Sequence, residues 1–288
     1  MSKPLRKFTF DSLEAFVAEA QKPTHPVYGD GAGRRPGEKE FFGTSSFDET
    51  LKMAREGWPE GRKLFVNAMA SAAPVTARVA DFTMDVAGAY PIAALAAAGD
   101  PAAMVDFNPD IDRVRPIIRL ALNRCASAAY SAKELTNYGA AVASYVDAIE
   151  ASGYRVEIDA AMVCLDGKSR PYYCGVIVKQ AHEPMEIDRM AFCLASPSYL
   201  RRLHFQVAQN REDDENSMDW CGSPMNISPE HVEHGVLVVP GINVFKPGSK
   251  QLNTAEAAAT ALQPIIKNVL SAAGVNPPAL AFGGQALA

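Results

Sequence analysis

One segment, residues 116–163, limits the folds open to this chain more than any other. It opens with an apolar run, Pro116-Ile117-Ile118-Arg119-Leu120-Ala121-Leu122, followed by a polar loop, Asn123-Arg124-Cys125-Ala126-Ser127. An amphipathic pattern over about 139–151 predicts a helix stopped by Gly153, and Tyr154-Arg155-Val156-Glu157-Ile158 predicts a second strand. Strand, loop, helix and strand in this order predict a right-handed crossover between parallel neighbours. In such units ligands sit at the loop after the first strand. Asn123, Cys125 and Ser127 are therefore the first candidate binding residues.

Three regions flank or contain this unit. Residues 1–43 hold a short helix at Asp11-Ser12-Leu13-Glu14-Ala15-Phe16-Val17, then loosen into Lys22-Pro23-Thr24-His25-Pro26 and a Gly/Arg-rich run over 29–37, the composition of an arm. Residues 44–112 read as helical. Ser46-Phe47-Asp48-Glu49 is a capping-box sequence, and the helix it starts ends before Pro59, which cannot continue it. A second helix spans about 61–73, and a short one, 92–98, follows a turn at 86–91.

Residues 113–274 read as α/β, a mostly parallel sheet flanked by helices. β-rich runs at 158–165 and 172–179 flank Asp166-Gly167-Lys168, a hairpin signal. Helices follow at 187–195 and 198–207. Residues 235–241 read as a buried strand, and 254–273 as a long helix capped by Thr254 and kinked at Pro264. The expected core is Ile118, Leu120, Val142, Val146, Ile149, Val156, Ile158, Val176, Ile177, Val236, Leu237 and Val238. The apolar tail, 275–288, is expected to pack on its own domain or on a neighbouring subunit.

With 288 residues, 48% of them hydrophobic, the chain can bury a full core. A net charge of −5 argues against binding duplex nucleic acid through the overall field. The cysteines, Cys125, Cys164, Cys174, Cys193 and Cys221, are odd in number and far apart, which fits reduced, buried thiols rather than a disulfide framework. No apolar run reaches membrane-span length, and Met1-Ser2-Lys3-Pro4-Leu5-Arg6 does not open a signal peptide. These features predict a cytoplasmic protein with no membrane partner.

The order strand, loop, long helix, strand, Asp-Gly hairpin, helices, buried strand, long helix resembles a von Willebrand factor A-type domain over residues 113–274. In that family the first strand ends in Asp-x-Ser-x-Ser, which holds a divalent cation, usually Mg²⁺, with help from a later Thr and a later Asp. Hard cations require oxygen ligands. The matching positions here are Asn123, Cys125 and Ser127, and Pro240-Gly241 stands where the later Asp would be. Only Ser127 is kept, so the resemblance implies a domain without its cation and no cofactor. A second resemblance, to an uncharacterised family of tailed bacteriophages, rests on Ser46-Phe47-Asp48-Glu49 with Gly57-Trp58-Pro59-Glu60-Gly61, Asp85-Val86-Ala87-Gly88-Ala89-Tyr90-Pro91, residues 139–153, and Asp188-Arg189-Met190-Ala191-Phe192 with Pro197 and Arg201-Arg202. It implies a viral protein, in the host cytoplasm or in a virion.

The remaining candidates are weighed against plainer readings. Cys221, His231 and His234 have the residue types of a zinc site; a buried thiol and two histidines on a turn is the plainer reading. Residues 211–219 alternate oxygens like a calcium loop but have Met218 where that loop needs glycine and Pro224 where it needs glutamate. Cys125 as a nucleophile would need a positioned base. Arg34 and Arg35 on the arm suit phosphates or an acidic partner, whereas Arg201, Arg202 and His204 read as a solvated helix face. Trp58 is either an anchor for a partner or a cap on the local core.

The expected function is non-enzymatic binding to another phage or host protein, or self-association. The alternatives are a single-stranded nucleic-acid accessory protein and a hydrolase.

Overall fold

The computed structural model describes residues 4–22, 38–72, 82–86, 90–107, 116–165, 169–211, 223–272 and 274–275. The chain is α/β. Its main sheet has the order β1 (Arg6–Phe10), β7 (Pro171–Lys179), β6 (Arg155–Leu165), β5 (Ile117–Asn123), β9 (Val236–Val239), with β8 (Ser223–Pro224) pairing β6 off this path. β5 runs parallel to β6 and to β9, and β1 parallel to β7; the β6–β7 hairpin is antiparallel. The sheet is thus mixed and mostly parallel. A second, small antiparallel sheet has the order β2 (Phe82–Asp85), β4 (Met104–Phe107), β3 (Tyr90–Pro91).

The crossover from β5 to β6 is made by α6 (Ala132–Ala151). This helix begins seven residues before the predicted start at 139. Ser131 caps it: its Oγ accepts the Glu134 amide at 3.3 Å, while Glu134 Oε2 accepts the Ser131 amide at 2.8 Å. Gly139, which suggested a boundary, lies inside the helix where the backbone of α7 (Ile187–Ala195) crosses it. β6 is one strand of 11 residues rather than two. A register shift between Ile158 and Asp159 marks a bulge against β7.

Other boundaries also differ from expectation. The N-terminal segment carries β1, an edge of the main sheet, before α1 (Leu13–Ala20), which Ser12 caps. Within 82–107, part of the region read as helical, α5 (Ala93–Ala97) falls where the short helix at 92–98 was expected, but three short strands flank it. α2 (Glu38–Phe42) precedes α3 (Phe47–Glu56), where Ser46 caps as predicted, but Glu49 reaches back to the amide of Ser45 at 2.6 Å. Pro59 is the first residue of α4 (Pro59–Ala72), the helical position where a missing N–H costs least.

One face of the sheet is covered by helices. α1, α6, α7 and α9 (Ala255–Ala272) pack on the strands, and α4 lies over α6, α7 and α9. Alternation puts Ile118, Leu120 and Leu122 of β5, Val156, Ile158 and Met162 of β6, and Tyr172, Cys174 and Val176 of β7 into this layer. Of the predicted core, Ile118, Leu120, Val142, Val146, Ile149, Val156, Ile158 and Val176 are buried. Ile177, Val236, Leu237 and Val238 are half-buried, because β9 is a sheet edge and Ile177 faces the other side.

The largest departure is at 199–204. Tyr199–His204 form a π-helical turn that leads into α8 (Phe205–Asn210). Arg201, Arg202 and His204 are all buried there, not solvated. The guanidinium groups of Arg201 and Arg202 stack over Phe41 and Phe42, 4.4 Å from each ring centroid. Cation–π contact and carbonyl acceptors replace the water that these charges would otherwise hold.

Among the described residues no helix is long and apolar enough to cross a membrane. Residues 29–37 with Arg34 and Arg35, the 166–168 turn, Cys221, most of the acidic run and the 276–288 tail lie outside the described residues.

Candidate functional site

The loop after β5, the expected ligand position, is knit into the fold by its own polar groups. Asn123 is buried. Its Nδ2 donates to the Met225 carbonyl at 2.6 Å, and its Oδ1 accepts the Cys125 amide at 3.0 Å. Asn243 spans the next turn, accepting the Ser127 amide and donating to the Cys125 carbonyl. Arg201 donates to the carbonyls of Ser127 and Tyr130, and the Tyr130 hydroxyl donates to Phe245. The Tyr138 hydroxyl donates to Pro240, and Gly241 lies so close to Asn123 that a β-carbon there would meet the Asn123 carbonyl oxygen at 2.8 Å. Cys125 is buried and Ser127 half-buried. The structure brings Asn123, Cys125 and Ser127 together and engages the first and last in bonds that hold the loop.

The second face of the sheet offers an open surface. Near the C-terminal ends of β5 and β6, Ala121, Ala161, Val163 and Tyr173 are covered by Met225, Ile227 and Val232, and no helix residue belongs to this cluster. Beyond that cover the face opens as a groove of about 310 Å³. Its floor is Gly175, Ile177 and Val236, and its polar groups are Lys7, Thr9, Asp11, Arg119, Glu157, Asp159, Tyr173, Gln180 and Glu233. Strand periodicity places Arg119, Glu157, Asp159 and Tyr173 on this face, opposite the core residues that alternate with them.

Two interactions fix the groove's charge. Arg119 Nε donates to Glu157 at 3.0 Å and Nη2 to Glu233 at 2.8 Å, and these bonds raise its pKa above the ordinary value. Asp159 sits at the bulge: Oδ1 accepts the Val176 amide at 2.7 Å, and Oδ2 accepts the Tyr173 hydroxyl. Burial holds the Asp159 carboxyl above its usual range despite both bonds. Burial, then the neighbouring Asp159, pushes the Tyr173 hydroxyl up as well. Lys7 lies over the Tyr173 ring, 5.4 Å from its centroid.

The sign of the Asp159 shift makes a prediction. A carboxyl with a raised folded pKa favours the folded state while protonated. That contribution is lost as pH rises from the unfolded carboxylate value through the higher folded one. Asp159→Asn keeps the shape and the bond from the Val176 amide, with its amide nitrogen donating to the Tyr173 hydroxyl in place of accepting from it. The variant should therefore gain stability relative to wild type as pH rises through that window. Urea midpoints for the two proteins from about pH 3 to pH 7 check this; parallel curves would show that Asp159 does not titrate as described.

The other sequence candidates separate in space. His231 is buried and its Nδ1 accepts the Ser228 amide, while His234 is exposed. Among the described residues no three His, Cys, Asp or Glu side chains form a metal-holding group. Cys125, Cys164, Cys174 and Cys193 are buried thiols, and burial raises the pKa of the Cys174 and Cys193 groups. Trp58 is half-buried against the main core with its ring over Gly61. Sequence reasoning missed the groove. Its only local signal was Arg119, Glu157 and Asp159 alternating with apolar residues in strands otherwise fit for a core.

Residues 3–275 match a family described as "Domain of unknown function (DUF7192)". No curated protein and no solved structure matches the chain.

Proposed function

We propose that this chain, which belongs to the DUF7192 family over residues 3–275, binds another protein through the half of its sheet that no described helix covers, without catalysing a reaction. One observation carries the reading. β5, β6 and β9 are mutually parallel, and parallel strands are normally covered on both faces. Here, among the described residues, the second face is covered only in part. The open part contains Ile177 and Val236 beside charged groups, and Ile117, on the same strand face as Arg119, is 62% exposed. A partner would complete the missing layer.

Charge selects the kind of partner. Lys7 and Arg119 line the groove against Asp11, Glu157, Asp159 and Glu233. Acids outnumber cations, so the complementary segment is basic. The order β5, loop, α6, β6, β7, helices, β9, α9 supports the finer reading of a von Willebrand A-like domain, with a strand-end loop closed by side-chain bonds in place of a cation. The resemblance to a tailed-phage family makes a phage or host protein the proposed partner, in the infected cell or the virion.

A photo-crosslinking residue placed at Ile117 or Ile177 tests the surface. Both positions are expected to capture the same protein, whereas a crosslinker at Ala128, on the β5 loop, should not. Reversing charge with Glu157→Lys and Glu233→Lys is expected to lower the yield about tenfold, equivalent to about 1.4 kcal/mol. Capture from Ala128 alone, or yields indifferent to charge reversal, would refute the reading.

A further inference from the structure

Where β5 ends beneath α6 and α7, basic side chains gather with no described carboxylate among them. Arg124 follows β5 on the helix-covered face, and its amide continues the pairing to the Ala161 carbonyl at 2.7 Å. Its side chain is 4% exposed, and Nε has no hydrogen-bond partner among the described residues. The groups acting on it are Tyr138, Tyr199 and Cys193, none of them an acid that ionises near neutrality. His204 is fully buried between the rings of Phe16 and Tyr199, with centroids 4.6 and 4.8 Å away. Among the described residues neither of its ring nitrogens makes a hydrogen bond of full geometry, although the Ala160 carbonyl, which accepts from Tyr199, is near enough to act on it. Arg201, whose donors are used on Phe41, Ser127 and Tyr130, adds its charge beside Arg124.

Two features of this arrangement need an explanation. Buried donors in proteins are nearly always satisfied, yet Arg124 and His204 are neighbours with unmet donors. Buried charge is normally paired, yet neither Arg124 nor Arg201 has a described carboxylate acting on it. Ordered water would satisfy the donors but not the charge. An anion would do both.

We infer that Arg124 and His204, with Arg201 above them, form a binding site for a small oxyanion, a phosphate or carboxylate group. Arg124 supplies a planar fork suited to two oxygens, His204 supplies one further N–H, and Arg201 adds charge while holding the loop from Ser127 to Tyr130 over the site. The site lies at the sheet's C-terminal edge, where the chain leaves β5 for β6 on one side and β9 on the other, the position at which α/β sheets receive ligands. It is separate from the open groove on the opposite face.

Thermal unfolding of the full chain tests this, because a ligand that binds only the folded state raises Tm. Inorganic phosphate and acetate are titrated separately against chloride at matched ionic strength. Wild type is expected to show a saturable rise in Tm with at least one of them, and the two arms distinguish a phosphoryl from a carboxylate site. Arg124→Met should abolish the rise, and Arg62→Met, which removes a surface cation paired with Asp188, should leave it unchanged. No saturable rise in wild type, or the same rise in Arg124→Met, overturns the site and leaves water as the partner. Should Arg124→Met fail to fold, ¹⁵N-arginine spectra of wild type decide. A guanidinium Nε–H resonance that titrates to saturation with either anion supports the site; a spectrum that does not respond overturns it.

Discussion

Gly139→Ala is expected to destabilise the protein by about 2 kcal/mol, although alanine is the better helix former. Gly139 is buried in the middle of α6, where alanine would gain about 1 kcal/mol from backbone propensity alone. Against this, a β-carbon at 139 would overlap the carbonyl oxygen of Leu194 in α7 and stand 2.6 Å from its carbonyl carbon. The obstacle is backbone, which cannot swing aside as a side-chain tip can. Relief requires α7 to move off α6, and overpacking of this kind costs about 3 kcal/mol. Gly139→Val should lose more, since it adds a branch at the same point. Urea unfolding with the m-value checked for two-state behaviour measures both. An alanine variant as stable as wild type would mean that the two helices are not in backbone contact.

Glu150→Ala is expected to cost about 3 kcal/mol, and Lys179→Met about 1 kcal/mol or less, although both break the same ion pair. Lys179 is 2% exposed in β7 and donates to Glu150 at 2.6 Å and to the Val156 carbonyl at 2.8 Å. Glu150, in the last turn of α6, also accepts the Val156 amide at the start of β6. Removing the carboxylate leaves a buried ammonium with only carbonyl partners. Removing the lysine puts methionine, of similar volume, into an apolar layer and leaves Glu150 partly solvated. Equal losses in the two variants, measured by denaturant midpoints, would show that the pair is not buried in solution.

What was legible in the sequence depended on how locally each element is determined. The β5–α6–β6 crossover, the β6–β7 hairpin, β9 and α9 carry their own periodicity, and each lies close to where it was expected. β1 has the strand alternation too, with Phe8 and Phe10 on one face, but five residues are a weak signal and its partner Tyr172–Val176 is far along the chain. The burial of Arg201, Arg202 and His204 had no local sign. Two adjacent arginines and a histidine read as solvated, and the rings that shield the arginines, Phe41 and Phe42, come from about 160 residues earlier, as the Arg201–Phe41 separation shows. Gly139 misled for a related reason: a glycine that ends a helix and one that lets two helices touch are identical in sequence. The candidate groove was least legible, because it exists only where cover is missing from a sheet face, and no single residue encodes that.

The pairing of β1 with β7 also sets an order in time. β1 leaves the ribosome first, yet the edge it joins is not complete until Val176 has been made. At roughly 5–20 residues per second, the strand Arg6–Phe10 waits on the order of ten seconds for its partner during synthesis. Arg6 and Lys7 place two positive charges on the waiting segment, which discourages it from pairing with a neighbouring nascent chain. Closure of this edge therefore waits for β7 but can precede that of the opposite edge, whose strand β9 is made later still. Substitutions in β1 should act more on the yield of folded protein than on the early collapse of the β5–α6–β6 unit.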